Sequence, residues 1–162
     1  MARLKATPED IEKHLALLAE TPQRIEAAVA GLDDGQLSRR PSERVWSAVE
    51  VLAHLRACED LWSHSIYVML TQDALALPLV DARRWAKTLD YVSLGFQASF
   101  QTFALRRAEL LHVLRGLPAS AWERSAVIEG RTHTVFSQVR RMALHEAEHC
   151  AQLESLLSGS KG

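Results

Sequence analysis

Backbone punctuation is the tightest constraint in this sequence. Seven glycines and five prolines serve 162 residues, and they fall so as to leave four long stretches nearly uninterrupted. Those stretches are rich in Ala, Leu, Glu and Arg, side chains that lose little freedom in a helix. The first is predicted to open at Thr7-Pro8-Glu9-Asp10, with Thr7 as the cap, Pro8 in the first turn and the acids at the positive end of the helix dipole. Ile11, Leu15, Leu18, Ile25, Val29 and Leu32 follow at helical spacing. Pro22 is expected to kink or break this helix, and Gly31 with the Asp33-Asp34-Gly35 turn to end it. The second helix opens at Ser47-Ala48-Val49-Glu50, which has capping-box spacing, and runs to about Thr71. The third, near 85–115, carries Trp85, Leu89, Val92, Phe96, Phe100, Phe103, Leu110 and Leu114 until Gly116-Leu117-Pro118 stops it. The fourth spans about Thr134 to Leu157.

Two connections matter. Segment 72–84 contains the run Ala74 to Val80, broken by Pro78, and is expected to cover apolar surface as a lid or an oligomer contact. Segment 117–133 is expected to hold a short turn of helix and a small extended excursion around Glu129-Gly130. At about 1.5 Å per residue the long helices are on the order of 35 Å each, the proportion of a single all-α domain built as a four-helix bundle.

Composition narrows the function classes. Hydrophobic residues at 48% suffice for one sizeable core, and 19 basic against 20 acidic side chains leave no bulk basicity to attract nucleic acid or an anionic membrane. No run approaches the roughly 18 apolar residues of a spanning helix, and the N-terminal residues lack the apolar centre of a secretory signal, so a cytoplasmic address is expected. Cys58 and Cys150 are too few for a disulfide scaffold. Histidine is out of proportion, with seven against two tyrosines.

The helical period sorts these histidines. His145 and His149 stand at i and i+4, one margin of the apolar stripe made by Val135, Val139, Met142, Leu153 and Leu157, with Gln138 and Gln152 on the same margin. His54 projects within the apolar arc of the second helix, between Val51 and Cys58. Two imidazoles at this spacing can share an ion, and a third from a facing helix would complete a three-histidine site with positions left open for water or substrate. Neutral imidazole suits Zn, Ni, Cu or Fe(II). The ordinary readings hold for the others: His64 and His112 fall on polar faces, His14 lies beside the first helix's stripe, and His133 precedes a helix start. Cys58 and Cys150 read as small buried hydrophobes rather than ligands.

His145-Glu146-Ala147-Glu148-His149 also spells H-E-x-x-H, the helix of zinc metalloproteases. That reading needs a further ligand, usually downstream, and a strand to hold the peptide; the sequence offers no strong strand before this helix. Glu146 points toward the apolar stripe and is better read as holding an imidazole N–H or an arginine.

The run from Pro41 to Leu55, containing Trp46-Ser47-Ala48-Val49-Glu50 and His54 and followed by Glu59, closely resembles the second-helix signature of the DinB superfamily, including its YfiT-like group. Gly130 to Leu153 is similar to that family's last-helix signature, although Glu148 stands where many relatives carry a histidine before the last ligand. The resemblance implies an up-down-down-up bundle with a long crossover. It also implies a divalent metal, nickel or zinc, held by His54, His145 and His149. Trp46 is then expected to pack the helix entrance and Glu59 to act as a structural or supporting acid.

The activity implied is that of a metal-dependent enzyme using a low-molecular-weight thiol of the bacillithiol or mycothiol type, in S-transfer or isomerisation. Transfer or hydrolysis on a small electrophile is therefore the first expectation, with a pocket lined by Gln138, Gln152 and parts of 72–84. The alternative is a non-catalytic metal or small-molecule binding module of a stress response. A small-molecule partner and a homodimer are expected, with neither nucleic acid nor membrane as a partner.

Overall fold

The computed structural model describes residues 6–73 and 75–160, so Ala74 of the apolar run lies outside the described residues. Its long helices are α1 (Pro8–Val29), α3 (Ala48–Thr71), α5 (Phe96–Arg115) and α6 (Val135–Leu157). Short helices α2 (Asp34–Ser38) and α4 (Ala82–Thr88) fill the connections. Thr7 caps α1, and Ser47 and Thr134 head capping boxes on α3 and α6, satisfying amide N–H groups that have no partner within the helix.

Helix directions follow from which residues meet. Along α1 and α6, His14 meets Phe136, Thr21 meets Glu146 and Arg24 meets Glu154, so the two run parallel. Trp46, just ahead of α3, meets His149, and Trp62 of α3 meets His145, so α3 and α6 run antiparallel. Arg56 bonds Ser99 and Glu59 bonds Arg107, making α3 and α5 parallel. The order round the bundle is α1, α6, α3, α5, and in chain order α1, α3, α5 and α6 run up-down-down-up.

Each helix gives residues to two apolar clusters, one around Leu18, Ile66, Leu110 and Val139, the other around Ile25, Leu52, Phe103 and Leu153. Thr21, Glu59, Ser63, Arg107 and Glu146 fall between them along the four helices and form a buried polar layer.

Two features depart from the sequence reading, and a third enlarges it: the short helical turn (Ala119–Glu123) and extended excursion expected in 117–133 are present, the excursion as a hairpin within a sheet. Helix α1 passes through Pro22 without ending. Pro22 offers no N–H to the Leu18 carbonyl one turn back, and that carbonyl instead accepts from Arg107 Nη1 at 3.1 Å. The expected third helix is divided into α4, a 3-10 turn over Tyr91–Leu94, and α5. The division falls at Asp90 and Gly95, whose φ of 51° and 75° are left-handed and cannot continue a helix. A small sheet also forms: β1 (Leu75–Leu77) pairs in parallel with β2 (Ser125–Ile128), which pairs antiparallel with β3 (Arg131–Thr134). Glu129 and Gly130 turn the β2–β3 hairpin with both φ positive, as a two-residue turn of this twist requires. A strand therefore does precede α6, where none strong was expected.

Candidate metal centre

Antiparallel packing of α3 against α6 brings His54 opposite His145 and His149. The three imidazoles meet through their Nε2 atoms. His145 Nε2 is 3.2 Å from His54 Nε2 and 3.2 Å from His149 Nε2. Cys58, one turn along α3, places Sγ 3.6 Å from His54 Nε2, and donor atoms of His54, Cys58 and His145 all lie within 4.8 Å of one another. Two histidines and a cysteine thus lie close together, and the ring contacts add His149, whose ring centre is 4.5 Å from that of His145 and 4.9 Å from that of His54. Both groupings describe one cluster, and the nitrogen contacts at His145 are the shorter.

Protons alone do not satisfy this cluster. His149 Nδ1–H donates to Gln152 Oε1 at 2.7 Å, which leaves the Nε2 lone pair of His149 facing the other rings. His145 Nε2 cannot donate its one hydrogen to both neighbours, and the buried Nδ1 atoms of His54 and His145 have no hydrogen-bond partner among the described residues. Burial, and next the neighbouring His149, pull His54 and His145 down to about 4, so both are neutral at pH 7 and carry lone pairs. Burial, with Glu146 adding to it, pushes the Cys58 thiol up to about 12. Neutral imidazole nitrogens converging at 3.2 Å fit one divalent cation better than any arrangement of protons.

Tryptophans bracket the cluster. Trp46 lies 5.3 Å from the His54 ring and stacks over His149 at 6.4 Å, so it packs against the site itself as well as the helix entrance. Trp62 meets the His145 ring edge-on at 5.0 Å and carries the Arg141 guanidinium on its ring. Trp62 also lines a pocket of about 650 Å³ among α3, α5, α6 and segment 77–80, with Trp85, Gln138 and Arg141 in its wall and none of the three histidines lining it. Gln138 and part of 72–84 line it as expected, while Gln152 lies instead at the histidines. Trp62 is the wall common to pocket and cluster.

The remaining histidines are dispersed. His14 Nδ1 contacts the Asp10 carbonyl at 2.6 Å, and His133 sits in β3 opposite Ala126. Glu146 binds arginine rather than imidazole: Arg107 donates to both of its oxygens at 2.6 Å, and Thr21 donates at 3.0 Å. Glu59 pairs with the same guanidinium and accepts from Ser63, which makes it a structural acid. Sequence reasoning missed two participants. Cys58 was legible as an i+4 partner of His54, but its type and apolar face suggested packing. Arg107 carried no signal, because an arginine within an otherwise ordinary helix gives no indication of burial.

The sequence model of the DinB superfamily matches residues 17–153. A protein of Geobacillus thermodenitrificans named "putative metal-dependent hydrolase" is 27% identical over 150 residues, covering 91% of this chain and 84% of its own. A protein of Oceanobacillus iheyensis with the same description is 25% identical over 160 residues, covering 98% and 91%. Among solved structures, YfiT from Bacillus subtilis, described as a probable metal-dependent hydrolase of unusual four-helix bundle topology, superposes with a TM-score of 0.86 at 19% identity, covering 99% of this chain and 93% of that one.

Proposed function

The chain belongs to the DinB superfamily, and from that premise we propose that it is a metal-dependent enzyme whose divalent ion, zinc or nickel, is held by His54, His145 and His149. The observation that carries this reading is the convergence of three imidazole Nε2 atoms, with 3.2 Å from His145 to each partner. The reaction proposed is hydrolysis of a small electrophilic substrate, or transfer to it of a low-molecular-weight thiol of the bacillithiol or mycothiol type. When bound, such an ion supplies a Lewis acid that makes a nucleophile from water or thiol available at neutral pH.

The protein's own groups have distinct tasks. Gln152 fixes the tautomer and direction of the His149 ring through its 2.7 Å bond to Nδ1. Trp46 and Trp62 shield the rings from solvent on two sides, which keeps His54 and His145 neutral. Arg107 pins Glu59 of α3 to Glu146 of α6 beside Cys58 and His145, and so holds the two ligand-bearing helices in register. The pocket lined by Trp62 has the size of small-molecule sites and offers the substrate an apolar body contact, with buried Gln138 and the Arg141 cation as polar contacts.

Untagged protein, loaded separately with zinc and nickel, is assayed against a thiol panel with a model electrophile and against ester and amide substrates. Metal-dependent turnover lost in His145→Ala is expected, and no turnover in any assay overturns the enzymatic reading. One observation favours a non-catalytic metal-binding module, the approach of Cys58 Sγ to the same centre. Stoichiometric metal binding without turnover would favour it.

A further inference from the structure

Helix α3 carries its own i,i+4 donor pair, His54 and Cys58, facing the His145 and His149 pair of α6. The two pairs lie on adjacent antiparallel helices; donor atoms of His54, Cys58 and His145 lie within 4.8 Å of one another, and His149 joins them through His145 at 3.2 Å. A tetrahedral ion with nitrogen at about 2.0–2.1 Å and sulfur at about 2.3 Å holds nitrogen and sulfur roughly 3.5 Å apart, and two nitrogens roughly 3.4 Å apart. The separations here are 3.6 Å from Cys58 Sγ to His54 Nε2 and 3.2 Å between imidazole nitrogens.

The second cysteine shows what plain packing looks like in the same bundle. Cys150 is as buried as Cys58, at 1% exposure each, yet its Sγ meets the Thr21 carbonyl at 4.0 Å. Cys58 instead has an imidazole nitrogen as its polar neighbour.

We propose that Cys58 is a fourth protein donor of the metal centre, through its thiolate, so that the resident ion is held by three nitrogens and one sulfur. This rests on the reading that the three histidines hold a divalent ion. Ligation forms a metal–sulfur bond and releases the thiol proton to solvent, with no change of oxidation state. Sulfur selects against magnesium, calcium and manganese and in favour of zinc and other softer ions.

Cobalt(II) distinguishes the two readings. Chelated, untagged full-length protein is titrated with cobalt(II), whose visible bands report the coordination and whose near-ultraviolet sulfur-to-metal charge transfer reports a thiolate. The expected result is saturation at one equivalent with charge transfer present, absent in Cys58→Ser and retained in Cys150→Ser. Cobalt affinity in Cys58→Ser is expected to fall by at least the roughly 10–100-fold that losing an outer-shell partner costs. Visible bands without charge transfer in the unaltered protein, or charge transfer that survives Cys58→Ser, overturn the thiolate alone. Absence of every cobalt band overturns the metal reading and the thiolate with it. Zinc-edge X-ray absorption on the unaltered protein needs no variant. One sulfur scatterer at about 2.3 Å is expected, and a shell of nitrogen and oxygen only contradicts the proposal.

Discussion

Two polar clusters share one stretch of α3 and α6, with Glu59 following Cys58 and Glu146 following His145, yet they meet their bonding needs in opposite ways. Around Arg107 the two carboxylates, Thr21, Ser63 and the Leu18 carbonyl bond one another, and only the guanidinium Nε lacks a partner among the described residues. Around His145 the donors converge on a shared point with two ring nitrogens unpartnered. A cluster that completes itself is structural; one whose buried ring nitrogens converge and stay unsatisfied is the candidate for a cation. Position along the bundle does not separate them, since both occupy the same level. What separates them is which groups remain unsatisfied.

Breaking the first cluster should give the largest effect on stability. Arg107→Met leaves Glu59 and Glu146, 1% and 0% exposed, without their cation, and is expected to cost about 3–5 kcal/mol in urea unfolding at pH 7. Glu59 already sits above the usual carboxylate range, because desolvation outweighs the attraction of Arg107. Without Arg107 its folded-state value rises further. The variant's stability should therefore recover as pH falls and decline as pH rises. A deficit independent of pH would show that the two acids are not the source of the loss.

The second cluster should respond to the opposite probe. His145→Ala removes a donor that contacts both other histidines, and is expected to abolish stoichiometric zinc binding by calorimetry. It should change the stability of chelated protein by no more than about 1 kcal/mol, since it also removes an unsatisfied buried Nδ1. Equal losses in metal-free and zinc-loaded protein would make His145 a structural residue like Arg107.

A smaller effect sharpens the same contrast. In chelated protein His54 and His145 lie at about 4 against about 6.5 in an unfolded chain, so the unfolded state binds more protons between those values. Their contribution to stability is complete above about pH 6.5 and is lost as pH falls toward about 4. The urea midpoint of chelated protein should drop across that window, by less than the full shifts imply because both rings are partly exposed. His145→Ala should flatten the slope; an unchanged slope would contradict the assignment.

The four long helical stretches were legible because capping residues and period need only local information. Ser47 with Glu50 and Thr134 mark the starts of α3 and α6 correctly. The face shared by His145 and His149, and the inward direction of His54, follow from the same period. What failed was decided by contacts distant in sequence or by local backbone geometry that the residue pattern does not mark. Whether Pro22 breaks α1 depends on a donor in α5 that is distant in sequence, and the division of the third helix depends on left-handed backbone at Asp90 and Gly95. The pairing of β1 with β2 joins segments separated by the whole of α5. Cys58 looked like packing because, although His54 is its neighbour one turn away on α3, the imidazoles that complete the cluster lie on α6.

Pro22→Ala is the mildest probe. An unsatisfied proline inside a helix costs about 3 kcal/mol, but here Arg107 already serves the freed Leu18 carbonyl and proline also restrains the unfolded chain. Stability is expected to change by about 1 kcal/mol or less. A gain near the full penalty would mean that Arg107 is no substitute for the missing backbone bond.

The central claim is that the converging imidazoles hold one ion, and anomalous scattering from crystals of untagged protein tests it most directly. The account predicts a single anomalous peak at bonding distance from Nε2 of His54, His145 and His149, with an absorption edge that names the metal. Well-ordered histidines with no peak between them, or a peak elsewhere in the bundle, would contradict it.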